Sequence, residues 1–133
     1  MTTKSGKKNL NALDRSFLAA ESRDVMMHVG GLLELAPPQA SKSESPIKEF
    51  ARSLRDELLR TKSAKPPWNL RLLHPDLLKS PVQSWVEEDE VDLEYHVRRS
   101  ALASPGDERE LGILVSRLHG TPLDFHHPPW EAH

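Results

Sequence analysis

Cysteine is absent from the chain, which excludes a disulfide framework and any thiolate nucleophile and fits a reducing compartment. No apolar run approaches the length that crosses a bilayer, and the opening "MTTKSGKKNL" has lysines but not the hydrophobic stretch of a signal peptide. A cytoplasmic location is therefore expected. A surplus of either charge is missing too. Eighteen Lys and Arg stand against twenty Asp and Glu, for a formal charge of −2, and no basic stripe with interleaved aromatics occurs, so nucleic acid is not an expected partner. Apolar residues make up only 37%, while 11 prolines against 6 glycines imply many fixed corners. At 133 residues the chain fits one loop-rich domain better than two.

What is present is a series of amphipathic segments between proline-marked joints. Residues 1–9 read as a flexible basic tail, in which Lys4, Lys7 and Lys8 could give weak, salt-sensitive contact with an anionic membrane surface. "LNALDRSFLAAES" places Leu10, Leu13, Phe17 and Leu18 on one helical face, with Asn11 and Asp14 able to satisfy the open amides at its start. "HVGGLLEL" is apolar on both faces and predicts an interior strand, and its Gly30–Gly31 pair suggests close approach of another backbone or a large side chain. "APPQASKSESP" reads as an exposed loop ending in a Ser45–Pro46 helix start. A helix follows in which Ile47, Phe50, Ala51, Leu54 and Leu58 recur at three- and four-residue spacing.

"AKPPWNLRLLHPDLLKSP" carries prolines enough to predict a long irregular connection. Two extended pieces are expected next, around Trp85–Val86 and around Leu93–Val97, joined by the acidic run Glu87 to Glu90. With no histidine or glycine at ligand spacing, that run reads as a solvated turn rather than a metal site. The last helix begins at Asp107 and Glu110, buries a stripe of Leu111, Leu114, Val115 and Leu118, and ends at Gly120 and Pro122. Helix, strand, helix, strands, helix is a mixed α/β order.

Seven histidines invite a search for chemistry. His28, His74, His96 and His119 each have an ordinary structural explanation, and no pair has the one-turn spacing of a zinc site, so no metal is expected. His126–His127 could serve as a general base if it belonged to an HHxxxDG motif, in which the second histidine accepts the proton of an attacking hydroxyl. Counted from His126, the Asp slot holds Glu131 and the Gly slot holds Ala132, which lacks glycine's backbone freedom. The match is poor.

"LDRSFLAAESRDVMMHVGGLLEL", "WVEEDEVDLEYHVRRSALASPGDERELGILVSRLHGTPLD" and "PPWE" resemble, in order and at comparable spacing, the N-terminal part of bacterial wax ester synthase/diacylglycerol acyltransferases. The resemblance covers nearly all of residues 10 to 132. It implies an α/β fold, the N-terminal half of a chloramphenicol-acetyltransferase-like acyltransferase fold, incomplete in this chain and spanning residues 10–133. The family's PLW motif falls at Pro128, Pro129 and Trp130, with Pro129 in the leucine slot and Trp130 expected to be structural. HHxxxDG follows later in the family, beyond a further strand, so His126–His127 align with variable residues and no catalytic residue is expected here.

The resemblance further implies acyl-CoA as co-substrate with no bound cofactor, a diacylglycerol or long-chain alcohol as acceptor, and inactivity without a C-terminal acyltransferase half. It would also allow a peripheral position at the inner membrane face or on lipid inclusions. Condensation domains of peptide synthetases share HHxxxDG, but "HVGG" and "EYHV" fit the lipid acyltransferases better. The competing class is a non-enzymatic module that binds a partner chain or lipid surface, or associates with itself.

Overall fold

The computed structural model describes residues 6–36, 45–61 and 64–133. Its elements are β1 (Lys7–Asn9), α1 (Ala12–Ala20), α2 (Pro46–Leu59), β2 (Leu70–Leu72), β3 (Ser84–Glu87), α3 (Leu93–His96) and α4 (Glu108–His119). The three strands form one antiparallel sheet in the order β1-β3-β2. Trp85 is the pivot of the register, opposite Lys8 on one side and Leu72 on the other. The mixed α/β class is as the sequence predicts.

Two assignments change. Lys7 to Asn9 do not belong to a tail, because their backbone pairs with β3; Lys4 lies outside the described residues. β2 lies within the stretch expected to be irregular, and its three residues between Pro67 and Pro75 alternate buried, half-buried, buried. Pairing with β3 satisfies backbone groups that the flanking prolines cannot.

Helix α1 starts as the sequence indicates. The Asn11 side chain accepts from the Asp14 N–H at 2.7 Å, and the Asp14 carboxylate accepts from the Asn11 N–H at 3.1 Å. The same carboxylate accepts the Trp85 indole N–H at 3.0 Å, so the cap also ties the helix to the sheet. Beneath that contact lies the core of Leu10, Leu18 and Leu72, with Leu78, Trp85 and Phe125 packed against it.

The connection from β2 to β3 is held by a buried glutamine. Gln83 donates from Nε2 to the carbonyls of His74 (2.7 Å) and Leu77 (3.3 Å), and its Oε1 accepts the His74 and Ser84 amides at 2.9 and 3.3 Å. Both ends of the side-chain amide are thus occupied inside the protein, the condition under which a polar group can be buried without penalty.

Four further segments depart from expectation. Residues 28–35 form no strand, and Val29, Leu32, Leu33 and Leu35 are exposed. An interior strand needs neighbours on both edges, and no described strand pairs with this segment. Gly30 nonetheless lies against the His119 ring, where a Cβ would come within 2.5 Å of Nε2; Gly31 faces open space. Leu93–His96 is a helical turn rather than a strand, since the Asp92 carboxylate accepts the amides of Glu94 and Tyr95 and bends the chain. Helix α2 has Pro46 in its first turn as expected, but Ser45 makes no side-chain cap and no α2 residue is buried. The α4 stripe is only half-buried, with Asp107 capping the Glu110 amide at 3.1 Å.

Replacing Gln83 by Leu should leave the His74 amide without its acceptor and the His74 carbonyl with only the Leu77 amide, and lower stability by about 2 kcal/mol. Urea unfolding followed by circular dichroism measures this, and a midpoint equal to the wild type would refute the role given to Gln83.

Candidate functional site

The residues carrying the family motif position are assembled where the last ten residues fold back over α3. His96 is fully buried, and its Nδ1 lies 2.7 Å from the Trp130 carbonyl. A carbonyl only accepts, so Nδ1 carries the proton and Nε2 is left with its lone pair. That nitrogen is buried and has no hydrogen-bond partner among the described residues. The His96 ring also stacks on the Trp130 indole, with centroids 4.3 Å apart and planes at 17°, a contact of about 1 kcal/mol beyond burial.

Backbone pairing reinforces this clamp. The Ala132 amide donates to the His96 carbonyl at 2.9 Å and the Arg98 amide to the Ala132 carbonyl at 2.8 Å, giving a parallel bridge between Val97 and Ala132. Arg98 adds an ion pair to Glu131 at 3.1 Å and lies 4.8 Å over the Tyr95 ring. These partly exposed charges contribute little net stability and mainly fix orientation. On its far side the Trp130 indole N–H donates to the Trp68 carbonyl at 2.7 Å.

The PLW positions play three different parts. Pro128 is fully buried, and its carbonyl accepts the Trp130 amide at 2.8 Å in a tight three-residue turn. Pro129, in place of leucine, is half-buried and lines a cavity of about 140 Å³ with Phe17, Leu18, Glu21, Met27, His28, Leu123 and Phe125. Trp130 stacks on His96 and donates its indole N–H to the Trp68 carbonyl. The cavity is well below the roughly 300 Å³ of a small-molecule site.

His126 and His127 do not converge. His126 is exposed, with Nδ1 2.9 Å from Asp124 Oδ1 and Nε2 3.3 Å from Asp76. His127 instead packs on the Tyr95 ring at 4.4 Å, 4.0 Å from the other oxygen of Asp124. Among the described residues no cluster of three or more His, Cys, Asp or Glu could hold a metal ion.

Sequence reading passed over Asp124, although its place two residues before His126 is the signature of the turn it makes: Oδ1 also accepts the His126 amide at 2.9 Å. Hydrogen bonds from the His126 amide and imidazole hold the Asp124 carboxyl below its usual range against the opposing effect of burial. The hydrogen bond to Asp124, with the Asp76 carboxylate, raises His126 above the ordinary imidazole value, against the opposing effect of desolvation. Burial raises the Tyr95 phenol, helped by Asp124 and Glu131 and opposed by Arg98.

With this geometry, the family comparisons become specific. Residues 10–133 match the wax ester synthase/diacylglycerol acyltransferase catalytic domain. A putative diacylglycerol O-acyltransferase of Mycobacterium tuberculosis (strain ATCC 25618 / H37Rv) is 52% identical over 126 residues, covering 95% of this chain and 24% of its own length. A probable diacylglycerol O-acyltransferase of the same strain is 41% identical over 122 residues, covering 90% of this chain and 25% of its own. The solved wax ester synthase/diacylglycerol acyltransferase from Marinobacter aquaeolei VT8 superposes with a TM-score of 0.77 at 35% identity, covering 93% of this chain and 29% of that one. The chain belongs to the wax ester synthase/diacylglycerol acyltransferase family. It corresponds to the N-terminal part of that fold and spans about a quarter of the length of the curated relatives it matches.

The Asp124–His126–Asp76 arrangement has a defined pH window. Because the folded His126 value is raised, its contribution is complete below the unfolded value of 6.5 and is lost as pH rises through the folded value. Because the Asp124 value is lowered, its contribution is present above the unfolded value of 3.8 and is lost as pH falls through the folded one. An NMR titration of His126 should give a midpoint above 6.5 that falls in Asp124→Asn. An unchanged midpoint in that variant would show that Asp124 is not the cause.

Proposed function

We propose that this chain is the N-terminal scaffold of an acyl-CoA-dependent O-acyltransferase of lipid storage, with a diacylglycerol or a long-chain alcohol as acceptor. The observation that carries the reading is the family match over residues 10–133 together with the absence of HHxxxDG from the same residues. In the reaction proposed for the complete domain, the acceptor hydroxyl oxygen bonds to the thioester carbonyl carbon while a base takes the hydroxyl proton. The carbon–sulfur bond then breaks, and CoA leaves as a thiol after taking up a proton. The products are triacylglycerol or wax ester. The base is assigned to the HHxxxDG region, and the part played here is to hold the strand entry at Trp130 to Ala132 in register.

This assignment makes the isolated chain inactive. His126 lies between Asp124 and Asp76 while His127 packs on Tyr95, and among the described residues no cavity beside them brings a thioester and a hydroxyl together, so proximity of the reactants is not provided. A non-enzymatic interaction module is the second reading. It is favoured by the exposed apolar run Val29, Leu32, Leu33 and Leu35, which a partner chain or a second copy could cover.

Purified chain supplied with a long-chain acyl-CoA and either a long-chain alcohol or a diacylglycerol should form no ester above the enzyme-free control. Co-expression with a polypeptide carrying the rest of a family domain should restore ester formation. Turnover by the chain alone that vanishes in His127→Ala would overturn the assignment. Failure of complementation, with concentration-dependent light scattering by the chain alone, would favour the second reading.

A further inference from the structure

Helix α2 turns its apolar stripe outward. At about 100° per residue, Ile47, Ala51, Leu54 and Leu58 share one narrow sector of the helix. All four are exposed, with Ile47 at 68%, Leu54 at 41% and Leu58 at 45%. The half-buried side is formed instead by Arg55 and Leu59, with Pro46 and Phe50 half-buried toward the other edge, and the neighbouring element is α3. Core helices are arranged the other way round, apolar stripe inward and charge outward.

The charges of α2 are sorted around that stripe. Lys48 and Arg55 border it, with exposed Arg52 one step further round, while Glu49 and Asp56 lie at the opposite pole. Glu57, the acid on the other border, is paired with Arg60 at 2.8 Å. The surrounding sequence shows the same bias. Residues 42–65 carry seven Lys and Arg against four Asp and Glu, a surplus of three positive charges in a chain whose formal charge is −2.

We propose that α2 is an interfacial helix that lays Ile47, Ala51, Leu54 and Leu58 into the headgroup boundary of an anionic lipid surface, with Lys48 and Arg52 at the level of the phosphates. A surface-seeking helix has an apolar face, cations beside it and acids away from it, and it binds through buried apolar area plus attraction to anionic lipid. A protein cover for the stripe would explain the apolar residues but not the gathering of Lys48, Arg52 and Arg55 along one border, with Glu49 and Asp56 opposite and the one bordering acid, Glu57, paired with Arg60. Neither Lys7 nor Lys8 is needed, since both sit on β1. The inference goes beyond the acyl-transfer reading, and vesicle binding is read without turnover, so either can fail while the other stands.

The test is sedimentation of the full chain with vesicles of phosphatidylcholine alone and of equal parts phosphatidylcholine and phosphatidylglycerol, at low and high salt. Wild type should pellet with the mixed vesicles at low salt and be released at high salt. The double variant Leu54→Glu/Leu58→Glu should weaken that binding by about tenfold or more. Lys48→Glu/Arg52→Glu should remove the preference for anionic vesicles, whereas Lys7→Glu/Lys8→Glu should keep it. All these positions are exposed, and circular dichroism will verify that the variants fold. Absence of wild-type binding, or equal binding by Leu54→Glu/Leu58→Glu, overturns the proposal. So does a leucine variant that changes self-association or capture of a C-terminal half while vesicle binding is unaltered.

Discussion

One imidazole organises the end of this chain. His96 donates from Nδ1 to the Trp130 carbonyl, stacks flat on the Trp130 ring and carries on its own carbonyl the Ala132 amide. Those three contacts come from a single fully buried residue, and each fixes a different feature of the closing segment: its backbone position, the rotamer of its large aromatic and its register against Val97. Without the Nδ1 bond, a fully buried imidazole would be left with no hydrogen-bond partner among the described residues, which is why the contact favours one arrangement. The turn at Pro128, the bond from Trp130 to the Trp68 carbonyl and the Arg98–Glu131 pair surround it.

The same clamp links two segments that are distant in the sequence. "EYHV" and "PPWE" are far apart in sequence, yet the structure makes them one unit in which Tyr95 supports His127, His96 supports Trp130 and Arg98 meets Glu131. The unit directs the chain out of Trp130 as a parallel neighbour of Val97. Proline in the leucine slot does not prevent this, because Pro129 contributes to the cavity wall beside Phe17 and the pairing begins only after it.

Local signals in the sequence were legible where the chemistry is local. The Asn11–Asp14 capping box, the Asp107 cap, Pro46 at a helix start and the β3 strand at Trp85–Val86 all follow from short patterns of residue types. Nonlocal consequences were not. β2 was hidden by its prolines and is revealed only by its partner strand, while Leu93–His96 looked like a strand until the Asp92 cap turned it into a helix. Val29 to Leu35 has strand composition but no described partner, so composition alone could not place it. Of the candidate site, Pro128, Pro129 and Trp130 were singled out through the family resemblance. The His96–Trp130 contact was not, because it joins residues 34 positions apart whose side chains give no sequence signal of pairing.

The central claim is that His96 is a fixed Nδ1–H imidazole clamping the Trp130 segment, and side-chain nitrogen NMR of the histidines tests it most directly. The account predicts a protonated, hydrogen-bonded Nδ1 and a bare, pyridine-type Nε2 for His96, with the Nδ1 proton protected from exchange and lost from view when Trp130 is replaced by Gly. A His96 signal showing the proton on Nε2, or rapid averaging of both tautomers in the folded protein, would contradict it.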